Sequence, residues 1–492
     1  MVPLPKRQYR VIEGLLLVMV LLLAFFMASI PHFNYLYPLH IDEFWHYGDA
    51  QSLIETGRIP YPDPFNAGEP YVPDVEVGFH LLLGVIRLVT GLSWLTLFRF
   101  LPGVILALLA FQAYALGRGR GFGLGAAFLI CLIPTTIRLL GPAFLVPISL
   151  GLMYLPLIIF ILHRLVFTAR GVAILFLLLF TLLFLHPPTL AVVSVITVIH
   201  LLFFLPGKEN LRLRWKMSAF IFGLMVLIYT FLIFWAPSAL YFVVSEALDP
   251  ELHMPMPAME NMALKYGIVP LALFLLGVGI LFYRRNRGDL AVITSAFGLL
   301  VFQQLYPHLY IGPDIIYERG WLYIFVLMAP IGAIALKTIW EWLRRAWQHR
   351  PEMARVAACA VTGVLVAVSL FFSIRNGLSE YYYHVVDDEM YREFLWIKEY
   401  VPPQHRIGIA DTHEAWPLAA ITQKYAYTAE VAPRFHAKGR AAVEFLKNGA
   451  QSTPWLIASG ISLVYSHEEV INDDLIKINK DLYLLVTERQ QR

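Results

Sequence analysis

Charge is scarce in this chain. Of its 492 residues only 15% are Asp, Glu, Lys or Arg, where a water-soluble chain carries about a quarter. Apolar residues make up 58% and the mean hydropathy is +0.64, with the apolar residues gathered into blocks. An all-soluble multidomain enzyme is excluded, and the bilayer is the solvent to reckon with, where about 20 apolar residues make one helical span. Cysteine is nearly absent as well. Cys131 and Cys359, each in an apolar run, supply neither a disulfide framework nor a cysteine-based zinc site. Nucleotide signatures are missing too: Gly117-Arg118-Gly119-Arg120-Gly121 lacks the Lys-Ser/Thr ending of a phosphate loop and reads as a tight turn between spans. Direct use of a nucleotide sugar is not expected. The net charge of +3 is too small to mark a nucleic-acid partner, and none is expected.

The apolar runs set the architecture. The first, Val11 to Ile30, follows Lys6, Arg7 and Arg10 and ends in Pro31-His32-Phe33 without a small-residue cleavage pattern, so it reads as a retained span with a cytoplasmic N-terminus. Further runs cover 95–116, 122–138, 144–163, 171–186, 188–205, 217–236, 265–283, 289–306, 320–338 and 354–374. A weaker run, 77–91, contains Gly84 and Arg87. If it does not cross, sixteen basic residues (Arg118, Arg120, Arg164, Arg170, Lys208, Arg212, Arg214, Lys216, Arg284, Arg285, Arg287, Lys337, Arg344, Arg345, Arg350 and Arg355) fall in cytoplasmic loops; if it crosses, those sixteen all move outside. The positive-inside rule favours the first choice and makes 77–91 an interfacial helix. The break at His186-Pro187-Pro188 lets 171–205 cross twice, since proline donates nothing to the helix ladder.

The fold expected is an α-helical polytopic membrane protein of about 11 transmembrane helices, with a long first outer loop and a C-terminal extracytoplasmic α/β domain. Residues 1–374 form the membrane core, with loop 31–94 outside, and 375–492 form the soluble domain. In that domain Asp387 to Tyr400 and Ala441 to Lys447 read as helices, and Arg406 to Ala410, Ile461 to Tyr465 and Leu482 to Val486 as strands.

The outer loop carries Asp42, Glu43, Asp49, Glu55, Asp63, Glu69, Asp74 and Glu76 against only Arg58 and Arg87. A solvated acidic loop would explain that balance, but Asp42 and Glu43 sit in His40-Ile41-Asp42-Glu43-Phe44-Trp45-His46-Tyr47, among bulky apolar residues close to the end of a span. Carboxylates in that setting are costly unless paired or used. Helix signals run from there through Ile54 and stop at Gly57. A carboxylate against an apolar wall can act as a general base. One such base suffices for an inverting transfer in which a hydroxyl attacks a sugar carbon and a phosphate leaves. A metal reading competes: His40, Asp42, Glu43, His46 and Asp49 fall at helical spacing, and their oxygen and imidazole donors suit manganese or zinc. A divalent metal therefore stays open as a cofactor, and no other is expected.

Asp42-Glu43, the Ala-Gln-Ser-Leu-Ile-Glu-Thr-Gly stretch of 50–57, Pro60, Gly68-Glu69-Pro70-Tyr71 and the helix ending at Gly91 together resemble the first outer loop of GT-C membrane glycosyltransferases. These include protein O-mannosyltransferases, aminoarabinose transferases of lipid A and the catalytic subunit of oligosaccharyltransferase. The topology matches over the whole chain; the residue-level part is mainly 40–91. The resemblance implies sugar transfer from a polyprenyl-phosphate donor on the outer face, with Asp42 and Glu43 matching the acidic pair. The acceptor would be a glycan, lipid or protein. Two departures count. The second outer loop, Leu140 to Leu145, has no carboxylate, and no Trp-Trp-Asp-Tyr-Gly segment occurs in the tail, which speaks against peptide N-glycosylation. Pro73-Asp74 also stands where the other two groups carry Lys-Pro-Pro or His-Pro-Pro.

Other residues join the candidate site. Arg319, in Tyr317-Glu318-Arg319-Gly320 at a span boundary, can hold a phosphate through several charge-assisted hydrogen bonds, against the plainer reading of an arginine that snorkels or pairs with Glu318. Arg138 in the second outer loop is a second phosphate candidate with the same alternative. His186 faces outside by the parity count and either lines the site or caps exposed backbone. His46 and Asp49 complete the substrate-binding set. Loop 237–264, with several acids, methionines and prolines, suggests a lid. The leading expectation is a membrane glycosyltransferase in the cell membrane with its C-terminal domain extracytoplasmic. The rivals are a lipid or glycan flippase, which would place charges mid-membrane, and a membrane-anchored scaffold.

Overall fold

The structure, a computed structural model, describes residues 6–71, 76–165, 167–204, 211–237, 262–309, 312–346, 349–382, 384–429 and 437–486. The expected lid lies outside these residues apart from its ends, as does Pro73-Asp74. The chain opens with α1 (Lys6–Ser29), α2 (Ile41–Thr56), the short strands β1 (Tyr61–Pro62) and β2 (Pro70–Tyr71), and α3 (Val77–Thr90). There follow α4 (Trp94–Arg118), α5 (Gly123–Cys131), α6 (Pro147–Arg164), α7 (Ala169–Leu185), α8 (Pro187–Phe204) and α9 (Leu211–Trp235). After these come α10 (Ile268–Arg284), α11 (Arg287–Leu309), α12 (Asp314–Ala346) and α13 (Pro351–Ser379). The C-terminal part holds α14 (Asp388–Tyr400), β3 (Ile407–Ile409), α15 (Thr412–Thr422), β4 (Tyr425–Ala426) and α16 (Ala437–Lys447). It ends with α17 (Thr453–Ala458), β5 (Ile461–Tyr465), β6 (Leu475–Lys477) and β7 (Leu482–Leu485).

Among the described residues eight helices are long and apolar enough to cross a membrane: α1, α4, α6, α8, α9, α11, α12 and α13. Helices α3, α7 and α10 are apolar but shorter. The chain is thus a mainly helical, multi-pass membrane protein. The run 122–138 differs from its sequence reading, because α5 stops at Cys131 after 9 residues. Beyond it Pro134 offers no N–H, and the hydroxyls of Thr135 and Thr136 accept from the Ala143 and Leu139 amides at 3.2 Å. Side chains here take over backbone groups that a helix would pair internally. Gly141 lets the two arms of this turn meet, since a Cβ there would sit 2.4 Å from the Pro134 carbonyl oxygen.

Contacts divide the chain into two compact units that do not follow chain order. The first comprises Met1–Asn34, Asp74–Phe79 and Arg99–Tyr381. Within it α12 packs against α5, α10, α11 and α13. Its residues from Gly320 to Ala335 are all buried, which accounts for a helix apolar on every side.

The second unit comprises Tyr35–Pro73, His80–Phe98 and Tyr382–Arg492. Its five-stranded sheet has the order β4-β3-β5-β7-β6, with β3 parallel to both β4 and β5, and β7 antiparallel to β5 and β6. Helix α15 makes the crossover between the parallel neighbours β3 and β4, as such a pair requires. On one side of the sheet Phe445, Leu446 and Leu456 pack with Ile461, Val464, Tyr483 and Leu485. Helix α15 also packs against α2 and α14, so outer-loop segments and tail share this unit.

Candidate functional site

Two groups of polar side chains stand out, one in each unit. In the second unit the start of α2 is built by three consecutive local choices. His40 is the N-cap in extended conformation, and its Nδ1 accepts from the Asp42 amide at 3.2 Å. Glu43 turns back so that its Oε2 accepts from the Leu39 amide at 2.6 Å. The first bond satisfies an amide that a helix start leaves without an internal partner, the second ties the segment before the cap to the first turn, and the negative charge suits the positive end of the helix. The two adjacent acids therefore part company. Glu43 is fully buried, whereas the Asp42 side chain remains 26% exposed, with Oδ1 3.2 Å from His40 Nδ1.

One turn further on, His46 Nδ1 lies 3.0 Å from His80 Nε2 of α3, and the Asp49 carboxylate is 3.8 Å from the same nitrogen. All three side chains are buried. Trp45 stacks on the His46 ring with centroids 4.9 Å apart. Burial lowers the His46 pKa to about 4 despite the nearby Asp42 charge, and burial together with His46 lowers that of His80 well below its ordinary value. Both imidazoles are neutral at physiological pH, one donating to the other. Tyr61, also buried, has its pKa raised by burial and by the neighbouring Asp49 charge. This cluster braces α2 from within.

Beside it opens a cavity of about 530 Å³ whose lining includes Trp45, Trp416, Phe65 and Tyr71 together with Asp49 and Lys438. Phe65 packs on Trp416 at 4.7 Å, and the two tryptophans stand 6.4 Å apart. Gly48 admits this packing, as a Cβ there would lie 2.4 Å from the Phe65 ring. Aromatic faces edged by carboxylate and ammonium groups suit a polyol, whose C–H faces stack while its hydroxyls bond outward.

In the first unit three residues singled out in the sequence come together. The Arg319 guanidinium donates through Nη1 to the Arg138 carbonyl, and its Nη2 lies 3.6 Å from the Glu318 carboxylate. Arg319 is largely buried while the Arg138 side chain is exposed. One turn after Arg319 on α12, the Tyr323 hydroxyl lies 2.7 Å from Thr189 Oγ1, which lies 2.7 Å from His186 Nδ1. The Thr189 amide also donates to His186 Nδ1, at 3.2 Å. That nitrogen is therefore the acceptor, which leaves the proton on Nε2, 3.8 Å from Glu76 Oε1. His186 does cap backbone, at the start of α8, and in doing so joins Glu76, Thr189 and Tyr323. Glu76 itself sits at φ 62°, a left-handed conformation costly for a residue with a Cβ.

The five possible metal donors of α2 do not converge. His40 and Glu43 are committed to backbone amides, and His46 and Asp49 turn to His80. Among the described residues no three His, Cys, Asp or Glu side chains are grouped to hold a metal ion. Sequence reasoning did not single out His80, Glu76, Thr189 or Tyr323. A histidine inside the apolar run 77–91 was the visible signal for the first, and Tyr323 lies four positions after Arg319, on the same helix face.

No family model matches the sequence, and no curated protein does. Solved structures match the fold. The oligosaccharyltransferase AglB from Archaeoglobus fulgidus, in complex with an inhibitory peptide and a dolichol-phosphate, superposes with a TM-score of 0.58 at 13% identity, over 92% of this chain and 69% of that one. ArnT from Cupriavidus metallidurans, bound to undecaprenyl phosphate, gives 0.59 at 12% identity over 98% and 99%. The arabinofuranosyltransferase AftD from Mycobacteria gives 0.58 at 12% identity over 95% of this chain and 35% of its own. These neighbours are GT-C glycosyltransferases, and theirs is the fold of this chain.

Proposed function

We propose that this chain is an integral-membrane glycosyltransferase that moves a sugar, with inversion, from a polyprenyl-phosphate carrier to an acceptor hydroxyl on the extracytoplasmic face. The shared fold supports the reading, as do the polyprenyl phosphates bound by two of its neighbours. The observation that carries it is the division between the paired acids: Glu43 is buried on an amide while the Asp42 carboxylate stays partly exposed at the start of a braced helix.

Asp42 takes the proton of the acceptor hydroxyl as its oxygen attacks the anomeric carbon. The bond from that carbon to the phosphate oxygen breaks, and polyprenyl phosphate leaves without needing a proton. Glu43 positions Asp42 by holding the start of α2. Arg319, aided by Arg138, binds the phosphate through charge-assisted hydrogen bonds. His186 acts through Thr189 and Tyr323 to fix the helix that carries Arg319. The aromatic cavity beside Asp49 receives the acceptor. His46 supports from behind. No step is routed through a metal ion.

The test is acceptor-dependent release of polyprenyl phosphate from a labelled polyprenyl-phosphate sugar in proteoliposomes holding the purified protein. Release with transfer of the label supports the reading. Movement of the intact lipid between leaflets without cleavage would instead make the chain a flippase, and neither result a scaffold.

A further inference from the structure

The first unit contains a second polar site, far along the helices' own sequence from the one above. The C-terminal ends of α4, α6 and α10 and the start of α11 enclose a cavity of about 240 Å³. Its polar lining is Arg120, His163, Arg164 and Asp289, and the remainder is aliphatic and aromatic, including Phe122 and Phe160. Arg120 is spoken for: its Nη1 lies 2.7 Å from Asp289 Oδ1. Arg164 makes no ion pair or hydrogen bond with any other described residue, and Lys337 stands close by, donating to the Arg120 carbonyl at 2.6 Å and lying 3.5 Å from the Glu341 carboxylate. The cavity lining therefore carries one positive charge in excess, that of Arg164, over apolar walls.

One histidine points the same way. His163 Nε2 is shielded from solvent with no hydrogen-bond partner among the described residues, and with the proton on that nitrogen it donates to a phosphate oxygen. Buried polar atoms in native proteins nearly always have partners, so a ligand that supplies one is indicated. Leu281 of the lining is followed by the exposed Phe282 and Tyr283, apolar surface over which a hydrocarbon chain can lie.

We infer that this cavity binds the phosphate headgroup of an anionic lipid, held by Arg164 with Arg120 and Lys337 around it. Basic pockets between membrane helices recognise acidic headgroups in this manner, and a guanidinium pairs with two phosphate oxygens at once. By the distribution of basic residues in the sequence this is the cytoplasmic side, so the lipid is a resident of that leaflet and not the sugar donor.

The test uses the whole protein in neutral detergent, with lipid retention read by native mass spectrometry. Dioleoyl phosphatidic acid is expected to be retained over dioleoyl phosphatidylcholine, and Arg164→Gln to lower that retention roughly tenfold, the scale of one charge-assisted hydrogen bond. Arg170→Gln, which removes an exposed charge outside the cavity lining, is expected to leave it unchanged. Soluble glycerol phosphate should compete only weakly. Equal loss in the two variants, or no preference between the two lipids, overturns the inference. Glycerol phosphate binding as tightly as the lipid overturns the lipid source and marks a soluble phosphate ester instead.

Discussion

His46 Nδ1 and His80 Nε2 lie 3.0 Å apart where neither ring reaches solvent. Burial lowers the His46 pKa from 6.5 to about 4 and lowers that of His80 as well. In the unfolded chain both rings take a proton near 6.5, while the folded pair stays neutral. As pH falls below 6.5 the unfolded state binds more protons, so the second unit loses stability down to about pH 4, by up to about 3 kcal/mol from His46. Unfolding temperature followed across that range checks this. The double variant His46→Gln, His80→Gln should be less stable at neutral pH and flatter in its acid dependence; an unchanged acid slope would count against the pair.

Glu43 and Asp42 should separate by what they cost. Glu43→Ala leaves the buried Leu39 amide without its acceptor and is expected to destabilise by about 2 kcal/mol. Asp42→Asn, at a partly exposed position, should change stability by less than about 0.5 kcal/mol. Thermal or denaturant unfolding of the two variants gives the comparison, and equal costs would contradict the assignment of Glu43 as the anchor.

Gly151 of α6 faces the Thr189 hydroxyl so closely that a Cβ there would lie 2.4 Å from Oγ1. Gly151→Ala should push Thr189 away from His186 and Tyr323, at about 1–3 kcal/mol of overpacking. If that hydroxyl chain fixes the helix bearing Arg319, binding of polyprenyl phosphate weakens in Gly151→Ala and in Thr189→Val alike. Wild-type affinity in both would remove His186 from the site.

His467 sits between two carboxylates, with Nε2 2.8 Å from Glu414 and Nδ1 2.8 Å from Asp481. Burial opposes its charge, but Glu414 and Asp481 outweigh burial and hold its pKa above 6.5. Its stabilisation is therefore complete below 6.5 and is lost as pH rises through the higher folded value. His467→Gln should lower the unfolding temperature most under mildly acidic conditions, with the gap to wild type closing as pH rises. A gap that widens instead would reverse the sign.

Local signals carried α2 and much of the tail. Gly57 ends α2 at φ 62°, as the stop in helical pattern suggests, and β5 occupies Ile461–Tyr465, the segment read as a strand. Helix α15 escaped notice because Pro417 interrupts it and Leu418 to Ile421 are all buried, which erases the polar face that periodicity needs. The end of α5 depended on threonine hydroxyls meeting amides across a turn. Arg138 and Arg319 were each visible as boundary arginines, but their meeting spans 181 positions and no short window holds it. The packing of Phe65 on Trp416, which unites outer loop and tail, is hidden for the same reason.

The most direct measurement is the transfer rate of Asp42→Asn beside wild type, with a polyprenyl-phosphate sugar donor in membranes and expression matched. A general base contributes roughly 10²–10⁴ in rate, so transfer should fall at least about a hundredfold while unfolding temperature holds. Transfer at the wild-type rate would contradict the role given to Asp42.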